Sequence, residues 1–107
     1  MKISMEEFMK LEIVVGKIIE IERVPKTEKL FKVKVDAGNK ETQVIAGGAE
    51  FYEPKDLIGK KVVLLFNLEP KVIRGLRSEG MLLAADLNGK PFWLTVEEEV
   101  PTGTRIR

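Results

Sequence analysis

A group of cationic and amide side chains occupies residues 67–81, between two apolar segments. Every charged residue between positions 70 and 77 is a cation: Lys71, Arg74 and Arg77. Asn67 and Ser78 add neutral hydrogen-bonding groups on either side of these charges. Gly75 permits backbone angles that other residues resist, so the segment is typical of a shaped loop. Spaced cations beside neutral donors are suited to nucleic-acid phosphates, and we predict that this loop contacts RNA.

The individual side chains leave alternatives open. The three cations would contact phosphates, which supply most of the affinity and salt dependence, or they would be ordinary solvated charges. Asn67 is more informative, because Asn is disfavoured in strands and its neighbours are apolar. Its amide would bind a base edge or ribose hydroxyl, or else bond to backbone in the core. Ser78 would bind a phosphate or cap the loop, and Met81 would pack in the core or lie against a base.

Composition excludes several classes of chemistry. The chain has 107 residues, enough for one domain with a single core, and a net charge of +1. It contains no Cys and no His, which excludes disulfides, thiolate or imidazole metal sites and a Ser-His nucleophile. No apolar run reaches membrane-spanning length and no signal peptide is present, so we expect a cytoplasmic protein without a cofactor or membrane contact. A carboxylate- or lysine-dependent enzyme stays open, but a binding module is favoured.

The first half of the chain predicts a short helix and three strands. Ser4 and Glu7 form a capping-box pattern for a helix over residues 5–10. Residues 11–24 form one long strand, in which Gly16 marks a bulge or bend. Residues 30–36 alternate cleanly, with inward side chains at Phe31, Val33 and Val35. Residues 42–46 form the third strand after a turn.

The second half predicts a helical turn and further strands. Residues 49–59 include Pro54 and Gly59, which suit the first turn and the end of a short helix. Residues 62–68 are almost all apolar, so both faces of this strand need covering, by a helix, a neighbouring segment or a second chain. Residues 81–85 form the fifth strand. Asn88-Gly89 then indicates a hairpin with a type I′ turn.

This order of elements predicts an all-β fold, a five-stranded OB-fold barrel with a short helix between strands 3 and 4. An SH3-like barrel is the alternative. We expect one domain over residues 1–107: an N-terminal helix (1–10), a barrel (11–86) and a C-terminal hairpin and tail (87–107). Lys32 and Lys34 then project from the sheet that receives nucleic acid in OB-folds. Because Phe31 points inward and Trp93 lies in the last hairpin, little base stacking is expected there.

The chain resembles the tRNA-binding domain family, which includes the C-terminal domain of methionyl-tRNA synthetases and stand-alone dimeric tRNA-binding proteins. The matching motifs are Val15-Gly16-Lys17-Ile18, Glu28-Lys29-Leu30, Asn67-Leu68-x-Pro70-Lys71 and Arg74-Gly75-x-x-Ser78-x-Gly80-Met81. They follow the order and approximate spacing of the family and cover nearly the whole chain. Thr27-Glu28 stands where the family usually has Ala-Asp, a departure that retains the acid.

The resemblance implies RNA contacts at Lys29, Asn67, Lys71, Arg74, Ser78 and Met81. It also implies a non-catalytic homodimer that binds folded tRNA and assists an aminoacyl-tRNA synthetase, above all methionyl-tRNA synthetase. The N-terminal helix, residues 62–68 and the C-terminal tail are the predicted dimer surfaces. A related group, the secretion-chaperone-like proteins, gives the alternative function of a dimeric peptide-binding chaperone. That group usually lacks the Lys29-Leu30 and Gly80-Met81 pairs that are present here.

Overall fold

The computed structural model describes residues 1–107 and confirms the predicted fold class, a nearly closed five-stranded antiparallel barrel. The barrel strands lie in the order β3-β2-β1-β4-β7. The elements are α1 (Met5–Phe8), β1 (Ile13–Arg23), β2 (Leu30–Asp36), β3 (Glu41–Gly47), α2 (Pro54–Leu57), β4 (Lys61–Leu65), β5 (Lys71–Ile73), β6 (Leu76–Ser78), β7 (Met81–Leu82), β8 (Ala84–Leu87) and β9 (Lys90–Trp93). Neither helix is long enough or apolar enough to cross a membrane.

Strand β1 is the long strand that joins both sides of the barrel, as predicted. Its first half pairs with β4 and its second half pairs with β2. The bulge is not at Gly16 but between Ile18 and Glu20, where the register with β2 shifts. Gly16 instead permits close packing, because a Cβ at this position would lie 2.5 Å from Cγ1 of Val35. The missing side chain therefore serves contact with β2 rather than a bend.

The alternation of β2 is confirmed. Phe31, Val33 and Val35 are completely buried and belong to the main core. Because side chains alternate across a strand, Lys32 and Lys34 project from the opposite, outer face. On that face they lie directly opposite Ile45 and Gln43 of β3.

The fifth strand is shorter than predicted. Only Met81 and Leu82 pair with β4. The next strand, β8, leaves the barrel and pairs with β9 through the predicted Asn88-Gly89 turn, in which both residues have positive φ (53° and 89°). Trp93 on β9 returns to pack against the core.

The C-terminal segment covers β1 and β4 within the chain. Backbone bonds join Gly103 N to Val15 O (2.7 Å) and Val15 N to Thr104 O (2.9 Å). Lys61 of β4 donates its ammonium to the carbonyl of Val100 at 2.6 Å. Val62, Val63 and Leu64 are buried within the single chain, whereas Lys61 and Leu65 at the two ends of β4 are half-buried. The middle of β4 is therefore covered without a second chain.

Candidate nucleic-acid interface

The basic stretch is a β-hairpin, formed by β5 and β6, rather than an irregular loop. Lys71 pairs with Ser78, and Ile73 pairs with Leu76. Arg74 and Gly75 form the two-residue turn, with φ angles of 53° and 78°. Positive φ at both positions is the requirement of a type I′ turn, whose twist matches that of the strands. We name residues 71–78 the basic hairpin.

The basic hairpin is held along the edge of β3 that faces away from β2 by specific hydrogen bonds. Ser78 Oγ accepts from the backbone N–H of Ile45 at 2.9 Å. Gln43 Nε2 donates to the carbonyl of Arg77 at 2.9 Å, and the N–H of Glu79 donates to the carbonyl of Gln43 at 2.8 Å. These contacts close the barrel on the β3 side. They also place the hairpin beside the outer face of the sheet.

The cations of the hairpin differ in their surroundings. Lys71 and Arg74 are exposed and form no ion pair. Arg77 is exposed as well, but its Nε lies 3.1 Å from a carboxylate oxygen of Glu79. Phosphate contact is therefore least opposed at Lys71 and Arg74, since neither has to leave a carboxylate first.

Three predicted site residues meet in one groove. Lys71, Ser78 and Met81 line a cleft of about 450 Å³, together with apolar side chains at Ile45, Leu68 and Ile73. Met81 is 49% exposed and presents an apolar surface there. The hydroxyl of Ser78 is buried and bonded to β3, so its observed role is to anchor the hairpin.

Asn67 is exposed, but its amide is used within the chain. Oδ1 accepts from the N–H of Glu12 at 2.8 Å, and Nδ2 donates to the carbonyl of Lys10 at 2.7 Å. The amide thus fastens the segment that leads from α1 into β1. These two bonds leave one amide hydrogen and one acceptor lone pair of the Asn67 side chain unused.

Lys32 and Lys34 lie together on the outer face, and each is paired with an acid of β1. The ammonium of Lys32 is 3.0 Å from Glu22, and that of Lys34 is 3.3 Å from Glu20. These four side chains and Gln43 border a cleft of about 390 Å³. The local charge is balanced, so this face is less cationic than the sequence alone suggests.

Lys29 lies apart from both clefts, at the other end of β3. Its carbonyl accepts from the N–H of Ala49 at 3.1 Å, and its exposed ammonium forms no ion pair.

Gln43, which sequence reasoning missed, joins the outer face to the hairpin. The sequence did contain a signal for Gln43, because its position between Thr42 and Val44 on an alternating strand indicates an outward-facing polar side chain. No group of three or more acidic side chains is placed to hold a metal ion.

The chain is similar to known proteins both in sequence and in structure. Residues 13–105 match the family model described as "Putative tRNA binding domain". A methionine–tRNA ligase of Archaeoglobus fulgidus is 46% identical over 105 residues, covering 98% of this chain and 16% of the ligase. One from Thermococcus kodakarensis is 47% identical over 105 residues, covering 98% and 14%. The chain therefore spans less than one-fifth of the length of these relatives.

Two solved structures have the same fold over the whole chain. The MetRS-related protein from Pyrococcus horikoshii has a TM-score of 0.93 and 38% identity, covering 100% of this chain and 99% of its own. The chaperone CsaA from Bacillus anthracis has a TM-score of 0.90 and 28% identity, covering 100% of both chains. The barrel, the basic hairpin and these matches lead to one conclusion: the chain belongs to the tRNA-binding domain family and is homologous to the C-terminal region of methionine–tRNA ligases.

Proposed function

We propose that residues 1–107 act as one non-catalytic module that binds folded tRNA mainly through its backbone. The observation that carries this proposal is the basic hairpin, which presents Lys71 and Arg74 to solvent without carboxylate partners. Its attachment through Ser78 to β3 fixes the backbone that carries these cations before any ligand binds. A fixed backbone loses less conformational freedom on binding phosphate than a mobile loop does.

The predicted site residues contribute to tRNA binding in different ways in this proposal. Lys71, Arg74 and Lys29 contact phosphates directly, and Arg77 does so after releasing Glu79. Met81 lies against a base or ribose at the cleft, while Lys32 and Lys34 extend the phosphate track along the outer face. Ser78 and Asn67 mainly position the interface, with the unused hydrogen-bonding capacity of Asn67 available to the RNA.

The test is the double variant Lys71→Ala/Arg74→Ala, with Lys55→Ala/Lys60→Ala as a control that removes the same charge from exposed positions on and just after α2. We expect the hairpin variant to weaken tRNA binding at least about tenfold, and the control to change it little. The slope of log affinity against log salt should fall by about 1.5 in the hairpin variant alone. Equal affinities for the two variants, with both folded, would refute the hairpin as the interface.

We further propose that the module acts in the cytoplasm as a homodimer and assists a synthetase, methionyl above all, in trans. Support for the dimer comes from apolar side chains that the single chain leaves exposed near its N-terminus: Ile3, Met5, Met9 and Leu11. A two-fold axis would use this one patch twice. Holding tRNA near a synthetase raises its effective concentration there. Sedimentation measures the dimer, and Met5→Ser should shift it toward monomer.

The likeness to CsaA supports a second candidate, a dimeric peptide-binding chaperone on the same fold. A cleft of about 540 Å³ has a mixed lining, with Leu57, Phe92 and Trp93 on its apolar part and Glu97, Glu98 and Glu99 on its charged part. The apolar part would receive apolar side chains of a peptide. Apolar binding of this kind changes little with salt, whereas tRNA binding weakens steeply. Titration of tRNA and of an unfolded polypeptide at low and high salt separates the two functions.

A further inference from the structure

Two exposed aromatic rings lie close together away from the basic hairpin. Phe51, in the loop between β3 and α2, is 44% exposed, and Phe92, on β9, is 43% exposed. The ammonium of Lys90 lies 5.7 Å from the ring centroid of Phe51 and 5.2 Å from that of Phe92. We name these three residues the aromatic platform. Most large aromatic side chains of a small domain are buried, so this pair requires an explanation.

The two segments that carry the rings are locked together. Tyr52 donates its hydroxyl hydrogen to the carbonyl of Pro91 at 2.7 Å, and its ring packs 5.5 Å from that of Trp93. Gly48 permits a close approach, since a Cβ there would lie 2.9 Å from Cγ of Pro91. Arg23 donates to the carbonyl of Tyr52 at 2.9 Å. The platform is therefore ordered before any ligand arrives, which reduces the entropy lost on binding.

Lys90 adds to the platform a positive charge that no carboxylate neutralises. It has no carboxylate within ion-pair distance, and its contacts are with aromatic rings. Cation–π contacts at exposed sites are weak, so the ammonium can leave the rings for a phosphate at little cost. Asp86, four residues before Lys90, accepts the backbone N–H of Gly89 at 2.9 Å. Of the acids beside Phe51, Glu53 lies 3.1 Å from Arg23, and Glu50 is solvent-exposed.

We propose that the aromatic platform stacks one or two unpaired nucleobases while Lys90 binds the adjoining phosphate. Exposed rings beside a cation are the combination that single-stranded nucleic acid uses, because every base has a π face and every nucleotide a charge. Lys29 lies close by, as its carbonyl accepts from Ala49 in the loop that carries Phe51. The inference rests on the proposed tRNA-binding function and extends that interface beyond the basic hairpin.

The test compares two double variants, one that removes the aromatic rings and one that keeps them. Phe51→Leu/Phe92→Leu retains apolar side chains without π faces, whereas Phe51→Tyr/Phe92→Tyr retains the rings. Affinities are measured for purified tRNA, for a single-stranded oligoadenylate and for a fully paired RNA duplex. We expect the Leu variant to bind tRNA and oligoadenylate about fivefold to tenfold more weakly, with the duplex and the salt slope unchanged. The Tyr variant should bind like the unaltered chain.

Lys90→Ala tests the phosphate contact independently of the rings, with Lys55→Ala as the charge control. It should lower the salt slope by about 0.7, and the control should not. Equal binding of tRNA and oligoadenylate by the Leu variant, the Tyr variant and the unaltered chain would overturn the proposed role of the platform. If the basic-hairpin variant weakens tRNA binding and the Leu variant does not, this inference fails and the proposed function stands. Oligoadenylate binding tests the platform even if tRNA does not bind.

Discussion

The hydroxyl oxygen of Ser78 accepts the backbone N–H of Ile45 at 2.9 Å, in a site where both residues are buried. This bond joins the end of the basic hairpin to the middle of β3. Ser78 therefore satisfies a backbone donor on the edge of β3 that is not paired with β2. The position of the cations on the barrel depends on this contact.

Replacing Ser78 by Ala should destabilise the protein, because the N–H of Ile45 would be left buried without an acceptor. The expected loss is about 1–3 kcal/mol in the free energy of unfolding. Urea denaturation measures it, with Ser4→Ala, which removes the cap of α1, as a comparison. An unchanged midpoint would show that water replaces the hydroxyl. We also expect weaker tRNA binding, since the hairpin would lose an anchor.

Replacing Asn67 by Ala should loosen the segment that enters β1. Asn67 bonds to the backbone of both Lys10 and Glu12, so the loss should lower stability by about 1–2 kcal/mol and speed hydrogen exchange at the Glu12 amide. A positioning role predicts that tRNA affinity falls together with this protection. A fall in affinity with the Glu12 amide still protected would instead make Asn67 a direct RNA contact.

Replacing Arg74 by Asn separates the turn geometry from the charge. Arg74 adopts φ of 53°, which is unfavourable for most residues, whereas Asn-Gly is a preferred type I′ pair. Stability should be equal or higher, while tRNA affinity falls and the salt slope decreases by about 0.7–0.9. Gly75→Ala is the converse variant, which keeps the charge and strains the turn. Unaltered salt dependence in Arg74→Asn would exclude this side chain as a phosphate contact.

Replacing both Glu20 and Glu22 by Gln should strengthen tRNA binding. These acids hold Lys34 and Lys32, and their removal frees two cations on the outer face. Exposed ion pairs contribute little, so the free energy of unfolding should change by less than about 1 kcal/mol. Glu97→Gln/Glu98→Gln removes equal charge from another surface and serves as the control. Similar gains in both variants would reflect net charge rather than the lysines of β2.

Local patterns in the sequence determined much of the barrel. The alternation in β2 places Phe31 and Val33 inward because successive side chains on a strand point to opposite faces. The Asn88-Gly89 pair specifies its hairpin turn because both residues tolerate positive φ. Arg74-Gly75 carried a weaker form of the same signal, and this is why the basic hairpin was expected only as a loop.

The tertiary structure alone decided how the polar side chains are used. Asn67 and Ser78 bond to backbone 55 and 33 residues away, which no local pattern reveals. The same holds for Gly16, whose contact with Val35 depends on the pairing of β1 with β2. Lys32 and Lys34 were recognisable as outward cations, but the acids opposite them depend on a register that shifts at the bulge. Sequence thus determined which residues face outward, and long-range pairing determined which of them remain free to bind.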